Sequence, residues 1–185
     1  LALFGGILVA CTCAIAGTFV VLRGLAFVGD ALAHGVLPGI ATAMLLGVSG
    51  IVGAAIGAAV MMGGVSVVSR RFRLSGDTAI GLLFVGMLAL GVMITSRSAS
   101  FVGDLAHILF GELLGITTTD LAWQFIALVI VGIIAFVGRR PFLLLSVDDG
   151  LARTSGFSAR LFHNVMLAMV AITVIASFQT VGTLL

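Results

Sequence analysis

The 185 residues carry nine basic and seven acidic side chains, 9% charged against 61% hydrophobic, at a mean hydropathy of +1.35. A soluble domain uses about 25% charged residues to face water, so this composition excludes a water-soluble globular protein and points to a membrane-embedded one. All nine basic residues are Arg, and the net charge of +2 carries no nucleic-acid signal.

Repeated apolar runs near 20 residues, without a ten-residue alternating pattern, favour helices over a barrel. The 25 glycines suit close helix approach in lipid. The expected fold is all-α: a polytopic transmembrane helical bundle of about six spans, with a short external or re-entrant helix and a short cytoplasmic helix. Leu1 to Leu22 reads as a first span closed by Arg23. Asp30 to Leu46 is the second, with Pro38 inside it; a missing backbone donor there should kink or loosen the helix and free a carbonyl near His34. After a turn at Gly47–Gly50, Ile51 to Val68 is a third span, with Gly53, Gly57 and Ala58 spaced for tight packing. The basic cluster Arg70-Arg71-Phe72-Arg73 follows. Ala79 to Thr95 is the fourth span, entered through Ser75-Gly76-Asp77 with Asp77 as the expected cap.

Arg97 to Thr119 has apolar stretches too short to cross about 30 Å and reads as the short external or re-entrant element. Leu121 to Val137 is a fifth span, closed by Arg139-Arg140-Pro141, with Trp123 as an interface anchor near its outer end. Phe142 to His163 is the longest polar interval, and Val165 to Leu185 opens a sixth span. If Arg97–Thr119 does not cross, Arg23, the Arg70–Arg73 cluster, Arg139, Arg140, Arg153 and Arg160 share one side, which the positive-inside rule makes cytoplasmic. Cys11 and Cys13 lie two apart on the first span and point to different faces, so packing is their expected role. The first run is too long for a signal peptide and lacks a small-residue cleavage site. The chain starts without Met and stops within an apolar run, as expected of a fragment of a longer membrane protein.

Gly29-Asp30-Ala31-Leu32-Ala33-His34 places a carboxylate and an imidazole four residues apart, on one face of a helix. An ionisable residue inside a membrane helix costs roughly 2.5–3.5 kcal/mol on insertion scales, so it needs a partner or a task. Two readings stand side by side. The pair either satisfies itself between helices, or offers oxygen and nitrogen donors that suit Zn(II), Mn(II) or Fe(II). As a metal site it is incomplete, since these ions take four or more donors. The remainder can come from a second copy of the chain or from Asp104 and His107, a second i, i+3 pair whose blander role is as polar loop residues. In the cytoplasmic interval, Asp149, Ala152 and Gly156 have the spacing of a short helix stopped by glycine. Such a helix either connects two spans or fits a cleft on an ATPase partner. Neither a Walker A loop nor a nucleophile or H-E-x-x-H motif is present, so an enzyme is not expected and any ATP-derived energy comes from a separate subunit.

The run Val21 to Ala41, which includes Gly29-Asp30-Ala31-Leu32-Ala33-His34-Gly35, resembles the signature of the bacterial zinc/manganese/iron ABC importer permeases. So do Gly76-Asp77-Thr78-Ala79-Ile80-Gly81, Leu109 to Ile116, Asp149 to Gly156 and the block beginning at Thr180. The usual block has Ser before the His, where this chain has Ala33. The resemblance implies a homodimeric permease in a bacterial plasma membrane, with residues 1–185 a single transmembrane permease domain lacking its last spans. It also implies ATP-binding subunits on the cytoplasmic side, an extracellular or periplasmic metal-binding protein, and Asp30 and His34 as ligands of the transported ion. No tightly bound cofactor is expected. A permease for metal chelates such as haem or siderophores is the alternative, and an intramembrane metal-dependent enzyme a more distant one.

Overall fold

The computed structural model describes residues 1–25, 27–72, 75–96, 116–148, 154 and 156–181. Among these there is no strand. The helices are α1 (Ala2–Leu22), α2 (Phe27–Gly35), α3 (Leu37–Leu45), α4 (Gly50–Phe72), α5 (Gly76–Thr95), α6 (Thr118–Val147) and α7 (Ala159–Val181). By length and composition six segments are able to cross a membrane, α2 and α3 together making one of them. The expected spans are therefore all present. Contacts group α1, α6 and α7 into one compact unit and α2 to α5 into another.

Glycine ends two of these helices in the same way. Gly24 after α1 (φ 69°) and Gly47 after α3 (φ 70°) adopt the left-handed conformation that side-chain-bearing residues avoid. Each turn closes with the paired bonds of a Schellman motif. Leu25 N–H donates to the Val20 carbonyl at 3.1 Å and Gly24 N–H to Val21, while Val48 N–H donates to Ala43 at 2.8 Å and Gly47 N–H to Met44. Arg23 and Asp30 are thus separated by a turn, and the chain does not run helically from one to the other.

Pro38 does what its chemistry requires. It has no N–H for the His34 carbonyl, and the helix breaks at Val36, leaving Pro38 in the first turn of α3. The broken segment rests on α4 through glycines. A Cβ built on Gly57 would lie 3.0 Å from Val36 Cα, and one on Gly35 would lie 3.0 Å from Met61 Cγ. On the other side α5 passes the break, with Gly91 facing Leu37 and Pro38. Val36, Ile40, Ala54, Ala58 and Met61 are buried in this seam. At the start of α5 the cap is Ser75, which accepts from Thr78 N–H at 3.3 Å. The expected cap, Asp77, instead lies two residues past Ser75, within the first helical turn.

The other unit departs from expectation at α6. The helix does not stop at Arg139-Arg140-Pro141. The helix runs 30 residues to Val147, about 45 Å at 1.5 Å per residue, well beyond a hydrocarbon core of about 30 Å. The Arg139 guanidinium sits over the Phe136 ring at 5.0 Å, a cation–π placement compatible with a continuing helix. Gly138 leaves room for the ring of Phe142, which packs edge-on against Phe19 at 5.3 Å and Phe162 at 6.1 Å. Phe142, Ala16, Val131, Ala135, Met166 and Met169 make the core of this unit. The start of α6 is a capping box, in which Thr117 accepts from Asp120 N–H at 3.3 Å and Asp120 accepts from Thr117 N–H at 3.0 Å.

Candidate functional site

Helix α2 is nine residues long, with Asp30 in its first turn and His34 in its last. A carboxylate near a helix N-terminus and an imidazole near a C-terminus both match the helix dipole. The i, i+4 spacing brings His34 Nε2 to 3.5 Å from Asp30 Oδ1. That is longer than the 2.7–3.2 Å of a formed hydrogen bond, so the pair is adjacent without being locked together. Two donors at this separation suit a single cation held roughly 2.0–2.2 Å from each. The Asp30 side chain is 64% exposed and that of His34 21%, which leaves the carboxylate available to a cation.

Asp30 opens onto a cavity of about 470 Å³ between α2 and α5, walled otherwise mainly by Phe27, Ile80, Phe84 and Val85. Asp77 and Thr78 line the same cavity. Residues 77, 80, 81 and 84 recur at helical spacing, so one face of α5 supplies the opposite wall. The Phe84 ring meets the His34 imidazole at 5.5 Å between centroids and 69° between planes. The second ring nitrogen of His34, Nδ1, is buried and has no hydrogen-bond partner among the described residues.

Asp30 and His34 are therefore brought together as expected. Asp104, His107, Asp149 and Ala152 lie outside the described residues. Gly156 is described: it has φ 83° and precedes α7. Among the described residues no three His, Cys, Asp or Glu side chains gather into a metal-sized group, so the pair provides two donors. Cys11 and Cys13 are free thiols. Sequence reasoning missed two members of the cavity wall. The sequence marks Asp77 as a cap and as part of a family-like block but not as a wall of this cavity, and nothing local to Phe84 marks it as a neighbour of His34.

Six apolar segments and a polar pair on a broken helix define a multi-pass helical membrane protein with a candidate ion-binding face. The whole chain, residues 1–185, matches the ABC 3 transport family, and it belongs to that family of bacterial multi-pass membrane proteins. It is 36% identical over its full length to the manganese transport system membrane protein MntC of Halalkalibacterium halodurans, covering 63% of that protein. It is 33% identical over 184 residues to the chelated iron transport system membrane protein YfeD of Yersinia pestis, covering 62% of it. The chain thus spans less than two thirds of the length of these curated relatives. Among solved structures it is similar to PsaBC from Streptococcus pneumoniae in complex with Fab, at a TM-score of 0.82 and 29% identity over 99% of this chain and 66% of that one.

Proposed function

We propose that this chain forms part of the membrane-spanning permease of an ATP-driven importer for divalent transition-metal ions, with Asp30 and His34 as donors to the ion in transit. The observation that carries the reading is the Asp30–His34 pair, 3.5 Å apart on a broken helix beside a cavity. Oxygen and nitrogen donors suit manganese, iron and zinc alike. The names of the relatives favour manganese or iron.

Two donors hold an ion weakly. A transport site has to release its cargo, and the same pair from a second copy of the chain would complete the coordination. ATP hydrolysis belongs to separate subunits docking on the cytoplasmic segment that holds Asp149, Ala152 and Gly156. An extracellular metal-binding protein delivers the ion. Asp104 and His107 are secondary candidates for the external approach.

The test is uptake of manganese, iron and zinc by the full-length parent protein in its host, comparing wild type with Asp30→Ala and His34→Ala at matched membrane abundance. Loss of uptake of one of these ions in both variants is expected. Normal uptake of all three ions in both variants would remove the ligand assignment. A second reading, a permease for chelated iron, is favoured by the name of the Yersinia pestis relative. It predicts that uptake of a ferric chelate survives both substitutions.

A further inference from the structure

A metal-ligating histidine ordinarily gives its other ring N–H to a carboxylate, a backbone carbonyl or water, and that bond fixes the rotation of the ring. His34 is arranged differently. If Nε2, the atom beside Asp30, is to present its lone pair to a cation, the neutral ring carries its proton on Nδ1. Nδ1 is buried without a hydrogen-bond partner among the described residues. The described neighbour in ring contact with the imidazole is Phe84, edge-on at 5.5 Å. Phe84 is itself held by α5, whose Ala79 and Ile80 are buried and whose Leu83 packs against Gly64 of α4.

We propose that Phe84 is the positioning residue for His34, its ring taking the place of the usual hydrogen-bonded partner and keeping Nε2 turned toward Asp30. The proposal rests on the reading of Asp30 and His34 as cation donors. An aromatic contact restrains ring rotation without raising the basicity of the nitrogen as a hydrogen-bonded carboxylate would. It orients the ligand while leaving it weak, which fits a site that must let its ion go. Because Phe84 also walls the cavity beside Asp30, one side chain shapes both the donor and the space in front of it.

The experiment measures the concentration dependence of uptake of manganese, iron and zinc, each supplied alone, by the full-length protein in its host, per copy in the membrane, and reads KM for the ion that the protein imports. With Phe84→Leu the apparent KM rises about three- to tenfold, the size of effect expected for a lost ring–ring contact, while the maximal rate stays within twofold. Phe84→Tyr keeps the ring and restores the wild-type KM. Phe84→Met, a flexible filler of similar size, raises KM as Phe84→Leu does and serves where the leucine variant fails to accumulate. An unchanged KM in Phe84→Leu or Phe84→Met overturns the proposal. A fall in maximal rate that Phe84→Tyr does not rescue overturns it too, because that pattern marks a merely structural role. His34→Ala run in parallel separates the two ideas. Uptake surviving His34→Ala sinks the donor reading itself, whereas uptake lost there with KM unmoved by Phe84→Leu sinks only the positioning role.

Discussion

Gly39 of α3 and Gly53 of α4 stand backbone to backbone, so that a methyl group on either would lie against the carbonyl oxygen of the other. Gly57, one turn further along α4, would press a Cβ to 3.0 Å from Val36 Cα, at the break itself. In lipid there is no hydrophobic force between helices, and close backbone approach through small residues takes its place. The three glycines thus fix where the Pro38 break sits, and with it the angle at which α2 carries Asp30 and His34.

Gly39→Val and Gly53→Val should each destabilise the protein by about 3 kcal/mol or more, since the backbone on the far side has no flexible end to move. Gly63→Ala on the same helix α4, where a Cβ meets nothing within 4 Å, should be neutral or gain up to about 1 kcal/mol. Thermal unfolding of the detergent-solubilised full-length protein measures all three. Equal effects at Gly53 and Gly63 would show that the seam is not as tight as described.

Phe142 should be the costliest single side chain to remove from the unit built on α1, α6 and α7. It is buried and touches Phe19 and Phe162, so it ties the extension of α6 to both neighbouring helices. Phe142→Ala should cost about 3 kcal/mol, the low end for aromatic truncation, because the transfer contribution is small in a bilayer. Gly138→Val should cost as much by a different route, since a Cβ there lies 2.8 Å from the ring's Cζ. The melting temperature reads both, and an unaffected Gly138→Val would mean that the ring has another place to go.

The Phe142 packing also explains what the sequence could and could not disclose. Apolar runs of about 20 residues made the spans legible, and a proline without an N–H made the break near His34 legible, because both follow from chemistry local to the chain. Arg139-Arg140-Pro141 looked like a stop for equally local reasons. The helix nevertheless continues past these residues, where Phe142 packs against Phe19 and Phe162, which lie more than a hundred residues before and about twenty after. The Thr117–Asp120 capping box fixes the start of α6 at Thr118, three residues before the Leu121 at which the sequence reading begins this span. The Asp30–His34 pair was readable from its i, i+4 spacing, whereas Phe84 reaches His34 from another helix.

Gly156 should tolerate asparagine better than valine. Its φ of 83° lies in the left-handed region, where a β-branched residue is strained and asparagine is accommodated. A Cβ there meets nothing within 4 Å, so the cost is in the backbone and not in crowding. If the segment before it docks an ATPase subunit, Gly156→Val should reduce co-purification of that subunit at least several-fold while Gly156→Asn retains most of it. Retention in both variants would show that docking does not depend on this turn.

Gln124 offers a test in the opposite direction. It is 2% exposed in the second turn of α6, and its Nε2 is buried without a hydrogen-bond partner among the described residues. A buried donor left unmade costs about 1–3 kcal/mol, whereas replacing it by an apolar group of similar shape removes that cost. Gln124→Met, nearly equal in volume, should therefore raise the melting temperature of the solubilised protein, by the equivalent of about 1 kcal/mol. Gln124→Ala should lower it, because it removes the unmade donor but leaves a cavity. A drop in stability with Gln124→Met would mean that the amide is engaged in the folded protein, and would turn attention to whatever it binds.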